Sequence, residues 1–222
     1  MPTYFDMVIQ RKTDKLAKDY VKSIYAAIID AGFPFKSGHW FHKDATLDEI
    51  IVWNQAKLEA GFQLGDTEHV RNDYMQIMFH AEQYEQMRGF WMYNENEIQF
   101  VLIVPESDIF APNCDVFMPM DASPNREDII QENKIAAIRE LAIKIWNSGL
   151  ADIIQSNLES SGSRSIDAVM NGKSLSIEPF AIIPKGIKNK FSDNFFLGKN
   201  VAAIGNDGLL ITAPVKGYMY EG

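Results

Sequence analysis

Two imidazoles three residues apart, His39 and His42, with Asp44 close behind, form the spacing in this chain that comes nearest to a transition-metal site. On a helix the pair would aim two nitrogens at one zinc ion. Gly38 precedes the pair and a helix start is signalled only at Thr46, so the segment reads as loop or extended chain, in which the rings need not converge. The His-Glu-x-x-His pattern of zinc proteases is absent. No metal and no cofactor are expected. His69 and His80 stand alone and read as surface or structural residues.

A nucleophilic cysteine needs a base and a cationic neighbour or helix N-terminus to favour its thiolate. Cys114 sits among Pro112, Asn113 and Asp115, and the adjacent carboxylate disfavours that state, so a small buried residue is the reading. The serine-rich stretch 160–165 would offer amides and the Arg164 guanidinium to an anion if a helix began at Ile166. It lacks the glycine and lysine spacing of a phosphate loop and reads first as a connection. Carboxylate pairs such as Glu82 with Glu85, Glu95 with Glu97, and Asp66 with Glu68 are so frequent that a solvated face explains them. No catalytic residue is assigned.

The charge is segregated. Between Asp44 and Asn125 lie fifteen Asp or Glu against three basic residues, a net of −12, while the remaining 140 residues sum to +3 and the whole chain to −9. Such a surface attracts basic partners and repels nucleic acid and anionic membranes. The lysines at 185, 188 and 190 are too few to argue nucleic-acid binding, and those at 12, 15, 18 and 22 read as the exposed side of a helix. Within Trp53 to Tyr93, aromatic residues alternate with Asp66, Glu68, Asp73, Glu82 and Glu85, the composition of a protein interface. These five carboxylates, with Trp91 and Tyr93, are the expected partner-binding residues. Strand alternation sends either Trp91 and Tyr93 outward, or Phe90 and Met92.

The expected function is an acidic protein-binding module, of the kind represented by immunity-type inhibitors of basic bacterial toxins or nucleases. The alternative is a cytoplasmic enzyme with a carboxylate- or His-based site, and a subunit of a larger assembly would use the same face. The first six residues lack a basic stretch followed by an apolar one, and the longest clean apolar run, Phe100 to Val104, is far below the roughly 20 residues of a membrane helix. A single cysteine excludes an internal disulfide. Cytoplasm is the expected compartment.

The elements that must position these residues follow from periodicity. Tyr4 to Gln10 predicts a strand, and Leu16, Tyr20, Ile24 and Ile28 predict a helix over 14–31. Thr46 to Glu49 forms a capping box opening a helix over 47–60. Strands are predicted at 74–79, 89–93 and 97–104, the last two joined at Asn94. Ser123 and Pro124 open a helix over 126–147, a short helix is predicted at 151–158, and 174–183 reads as a strand. Asn206 and Asp207 tolerate positive φ and join a late hairpin of 201–204 and 209–212. The fold class is α+β, a mainly antiparallel sheet with helices packed on it, as one domain spanning 1–222 with candidate breaks at 121–125 and 159–165.

Overall fold

In the computed structural model, residues 4–63, 72–94, 96–109, 132–158 and 162–213 are described. Their elements run, in chain order, β1 (Tyr4–Lys12), α1 (Tyr20–Asp30), β2 (Phe35–Gly38), α2 (Leu47–Glu59), β3 (Ile77–Phe79), β4 (Met87–Tyr93) and β5 (Glu97–Pro105). There follow α3 (Glu106–Ile109), α4 (Glu132–Asn147), β6 (Ile153–Leu158), α5 (Ile166–Met170), β7 (Phe180–Pro184), β8 (Asn200–Ile204) and β9 (Gly208–Thr212).

Among the described residues the strands make one sheet in the order β2-β3-β4-β5-β1-β6-β7-β9-β8, and each neighbouring pair is antiparallel. The hairpins expected at Asn94 and Asn206 are present, with Asn206 and Asp207 at φ 53° and 50°. The sheet crosses the candidate break at 159–165, because β6 pairs with β1 before it and β7 after it. The other candidate break, 121–125, lies outside the described residues, as do the predicted helix start at Ser123, Cys114, Asp66, Glu68 and His69. No helix among the described residues is long and apolar enough to cross a membrane.

One large core sits on one face of the sheet. Phe5, Met7 and Ile9 of β1 and Phe100 and Leu102 of β5 are buried in the same cluster as Ile24, Tyr25 and Ile28 of α1, Ile50 and Leu58 of α2, and Ile138, Leu141 and Ile145 of α4. The opposite face of β6, β7 and β9 is covered by a second cluster built on Ile166, Val169, Ile187 and Phe191.

Several expectations are corrected. The first helix begins at Tyr20 rather than Asp14, because β1 continues to Lys12 and the Thr13 amide still bonds the Asn96 carbonyl just before β5, leaving 13–15 as a single tight turn. Residues 151–158 hold the strand β6 in place of a helix. Every residue of β6 is buried, and two of its polar positions are satisfied from a distance: Gln155 is bonded by the backbone amides of Arg164 and Ser176, and the Ser156 hydroxyl accepts from the Phe180 amide at 3.0 Å, while the Asn157 Oδ1 atom has no hydrogen-bond partner among the described residues. The strand expected over 174–183 narrows to Phe180–Pro184, and that over 74–79 narrows to Ile77–Phe79.

The segment before β3 is held by side chains instead of a ladder. Asn54, fully buried on α2, donates to the Met75 carbonyl at 2.8 Å and accepts from the Met75 amide at 2.8 Å, and it also donates to the Tyr25 hydroxyl at 3.0 Å. Trp91 of β4 donates its indole N–H to the same hydroxyl at 2.8 Å. Trp91 is therefore a core residue, and its expected role as an outward partner-binding anchor is overturned. Phe90 and Met92 occupy the other face of β4. Asn54→Ala would leave the Met75 amide and carbonyl unmatched, and a loss of about 3 kcal/mol is expected from removing those bonds. Urea unfolding measures it, and a change within the noise of the method would show that the clamp does not stabilise the fold.

Candidate functional site

Gly38 ends β2 at a point where only glycine fits, since a Cβ there would lie 1.9 Å from the His42 carbonyl oxygen. The chain then folds into a tight turn over Trp40–His42, in which the His42 amide bonds the His39 carbonyl at 3.0 Å and Trp40 adopts φ 49°. A left-handed backbone on a bulky residue costs roughly 1–2 kcal/mol, a cost that clusters at functional sites. Its effect here is to turn Trp40 and Phe41 outward, each 61 % exposed.

Below this turn α2 runs from its capping box. The Thr46 side chain accepts from the Glu49 amide, and the Glu49 carboxylate accepts from the Thr46 amide at 2.7 Å. The Thr46 amide, and after it the Thr46 hydroxyl donating to the same carboxylate at 2.8 Å, hold the Glu49 carboxyl below the ordinary carboxylate range. Leu47, Ile50, Ile51 and Leu58 face inward, which leaves Val52, Ala56 and Ala60 at four-residue spacing on the outer face, Val52 being 68 % exposed. With Phe41, Trp53 and Phe62 they line an open groove of about 1040 Å³. Its rim carries Asp44, Asp48 and Glu49, and Lys57, which also lines it, lies 3.9 Å over the Phe62 ring. The Trp53 indole N–H donates to the Asp73 carbonyl at 2.8 Å, which fixes the wall of the groove to the segment before β3.

Behind the Phe41–His42 wall is a smaller cavity of about 190 Å³, lined by His39, His42, Asp73, Tyr74 and Gln76 among others. His39 stacks on Trp40 with ring centroids 5.2 Å apart, and its Nε2 lies 3.0 Å from Nη1 of Arg88. A guanidinium only donates, so Nε2 accepts and carries no proton. Burial, and then the Arg88 charge, push the His39 pKa below the ordinary imidazole range. The His42 Nε2, Gln76 Oε1 and Arg88 Nε atoms are buried with no hydrogen-bond partner among the described residues. The two histidines thus have different surroundings, and among the described residues no three His, Cys, Asp or Glu come together as metal ligands.

The expected partner-binding residues do not converge. Asp73 lines the small cavity near His39, whereas Glu82 and Glu85 follow the far end of β3, where the His80 amide bonds Pro34 and the Glu85 amide bonds Asp108 at 2.7 Å. Tyr93 is half-buried, with its hydroxyl against Gly61. The anion site envisaged at Ile166 is already filled, because the buried Glu97 carboxylate accepts from the Ile166 amide at 2.6 Å and from the Gln10 side chain at 3.2 Å. Sequence reasoning passed over Trp40, Phe41 and Val52. The signal for Val52 was present as the second apolar stripe Val52, Ala56, Ala60 on a helix whose buried face was already complete.

Comparison of the chain with protein-family models, with curated proteins and with solved structures finds no match.

Because the φ of Trp40 is one that only glycine adopts without strain, Trp40→Gly is expected to be more stable than Trp40→Ala by about 1 kcal/mol, reversing the usual order of the two substitutions. Paired thermal melts test this. Equal stability would mean that the turn relaxes once the indole is removed.

Proposed function

We propose that this chain is a protein-binding module whose recognition surface is the groove along α2, and that it takes a basic polypeptide segment bearing apolar anchor side chains. One observation carries the reading: Trp40, Phe41 and Val52, large and exposed, adjoin a groove rimmed by Asp44, Asp48 and Glu49. Exposed apolar patches of this kind, edged by charge, mark interaction sites. The groove is bounded by a helix, and an amphipathic partner would set lysine or arginine against its acidic rim and apolar anchors on its floor. The surrounding segment 44–125, at −12, supplies the long-range field that favours encounter. An immunity-type inhibitor of a basic toxin or nuclease is the form of this function that fits the charge and size.

A pull-down from the native host would identify the partner, and kinetics would then separate the roles. Reversing Asp44 and Asp48 to Lys is expected to slow association and flatten its salt dependence, because rim charges act on encounter. Phe41→Ala is expected to leave association nearly unchanged and to speed dissociation by about tenfold or more, as loss of a buried anchor does. Binding that ignores all three changes but fails when Glu82 and Glu85 are reversed would move the interface to the β3–β4 turn and end this assignment.

A further inference from the structure

The cavity of about 190 Å³ behind the Phe41–His42 wall combines aromatic walls with buried polar atoms that lack partners. Trp40, Tyr74, Phe90 and Trp91 belong to its lining. His42 and Gln76 line it too, and the His42 Nε2 and Gln76 Oε1 atoms are both buried with no hydrogen-bond partner among the described residues. Buried polar atoms left in that state are costly, and cavities that stay dry are apolar ones, so this cavity suits an occupant that bonds them. The Gln76 backbone is held in place, since its carbonyl accepts from the His39 amide at 3.1 Å.

The other polar groups are already committed. The Tyr74 hydroxyl donates to the Phe62 carbonyl at 2.8 Å and the Trp91 indole N–H to the Tyr25 hydroxyl at 2.8 Å, so these two residues offer the cavity ring surface only. His39 accepts from Arg88 at Nε2 and brings no charge. Arg88 itself is outside the lining, and Asp6 lies close enough to favour its charged form. What remains can accept. Gln76 presents a carbonyl oxygen, a neutral His42 accepts at Nε2 in one of its two tautomers, and Asp73, also in the lining, adds a negative charge. Among the described residues the lining contains no lysine or arginine.

We infer that the cavity binds a primary alkylammonium group, and that its source is a lysine side chain of the polypeptide held in the α2 groove, an inference that rests on the reading of that groove. An ammonium carries three N–H donors and no acceptor, which matches Gln76 and His42, and its charge is drawn both to Asp73 and to the faces of the aromatic rings. An anion would meet Asp73 and find no cation in the lining. A trimethylated ammonium would keep the ring contacts and leave Gln76 and His42 unmatched. The position favours a polypeptide source. Phe41 and His42 line the groove and the cavity alike, and Trp40 and Phe41 are largely exposed, so a segment lying in the groove has the cavity beside it.

Two-dimensional NMR on the full isotope-labelled chain tests the cavity separately from the groove. Titration with n-butylammonium is expected to give saturable shifts of the Gln76 side-chain amide and the Trp40 indole N–H, in the millimolar range for so small a ligand. 1-Butanol, butyrate and butyltrimethylammonium are each expected to bind about tenfold more weakly or worse. Gln76→Glu, which adds a charge at unchanged shape, is expected to tighten n-butylammonium at the Trp40 probe, and Gln76→Leu to weaken it by about tenfold. Should either variant unfold, the comparison of the four ligands on the wild type still decides. A second titration uses a synthetic amphipathic helix with leucines on one face and lysines on the other, and the same helix with every lysine trimethylated. Both are expected to shift Val52, and only the first the Gln76 side chain. Butylammonium that binds no better than butanol overturns the inference. So does a lysine helix that shifts Val52 and leaves Gln76 unmoved, a result under which the groove still stands. Butylammonium binding beside a helix that leaves Val52 unmoved would make the cavity a site for free amines, overturning the lysine source and the groove reading together.

Discussion

Everything about the candidate surface depends on a polar clamp inside an apolar core. Asn54 is fully buried on α2, where an unmatched amide would be costly, and its bonds to both backbone groups of Met75 and to the Tyr25 hydroxyl recover that cost. Burial pushes the Tyr25 hydroxyl well above the ordinary phenol range, so it stays protonated, and it accepts from Trp91 and Asn54 together. The triad ties α1, α2 and β4 to a stretch of chain that has no ladder of its own. Together with the Trp53 bond to the Asp73 carbonyl and the His39 amide bond to the Gln76 carbonyl, it fixes residues 73–76 and the wall shared by the two cavities.

The same clamp explains why the surface features are displayed outward. Once α2 commits Ile50, Asn54 and Leu58 to the interior, its opposite stripe has no core left to join, and Val52, Ala56 and Ala60 remain in solvent. Gly38 and the strained Trp40 then turn two more aromatic side chains onto the same side. Three carboxylates around that apolar floor give it a sign as well as a shape. Binding surfaces need both, since apolar contact supplies lifetime and charge supplies encounter.

How far the sequence foretold this depends on the range of the interaction involved. The capping box at Thr46 and the turns at Asn94 and Asn206 involve partners a few residues apart, and all three form as expected. The helix expected over 151–158 is instead the strand β6, whose polar Gln155, Ser156 and Asn157 are all buried. Gln155 and Ser156 are buried with partners that arrive from Gln10, Arg164, Ser176 and Phe180, and no local pattern announces that. Trp91 presents the same difficulty in smaller form. Alternation along β4 allowed either parity, and the choice was made by a hydroxyl 66 residues away. For the site, the acidic character was legible from composition, whereas the location of the exposed aromatic residues required the turn geometry.

The most direct test of the account is chemical-shift mapping of the isotope-labelled chain during titration with a short synthetic helix bearing leucines on one face and lysines on the other. The account predicts saturable shifts concentrated at Trp40, Phe41, Val52 and Ala56, with the Met75 amide remaining hydrogen-bonded throughout. Shifts confined to Glu82 and Glu85, or spread over the acidic surface without saturating, would contradict it.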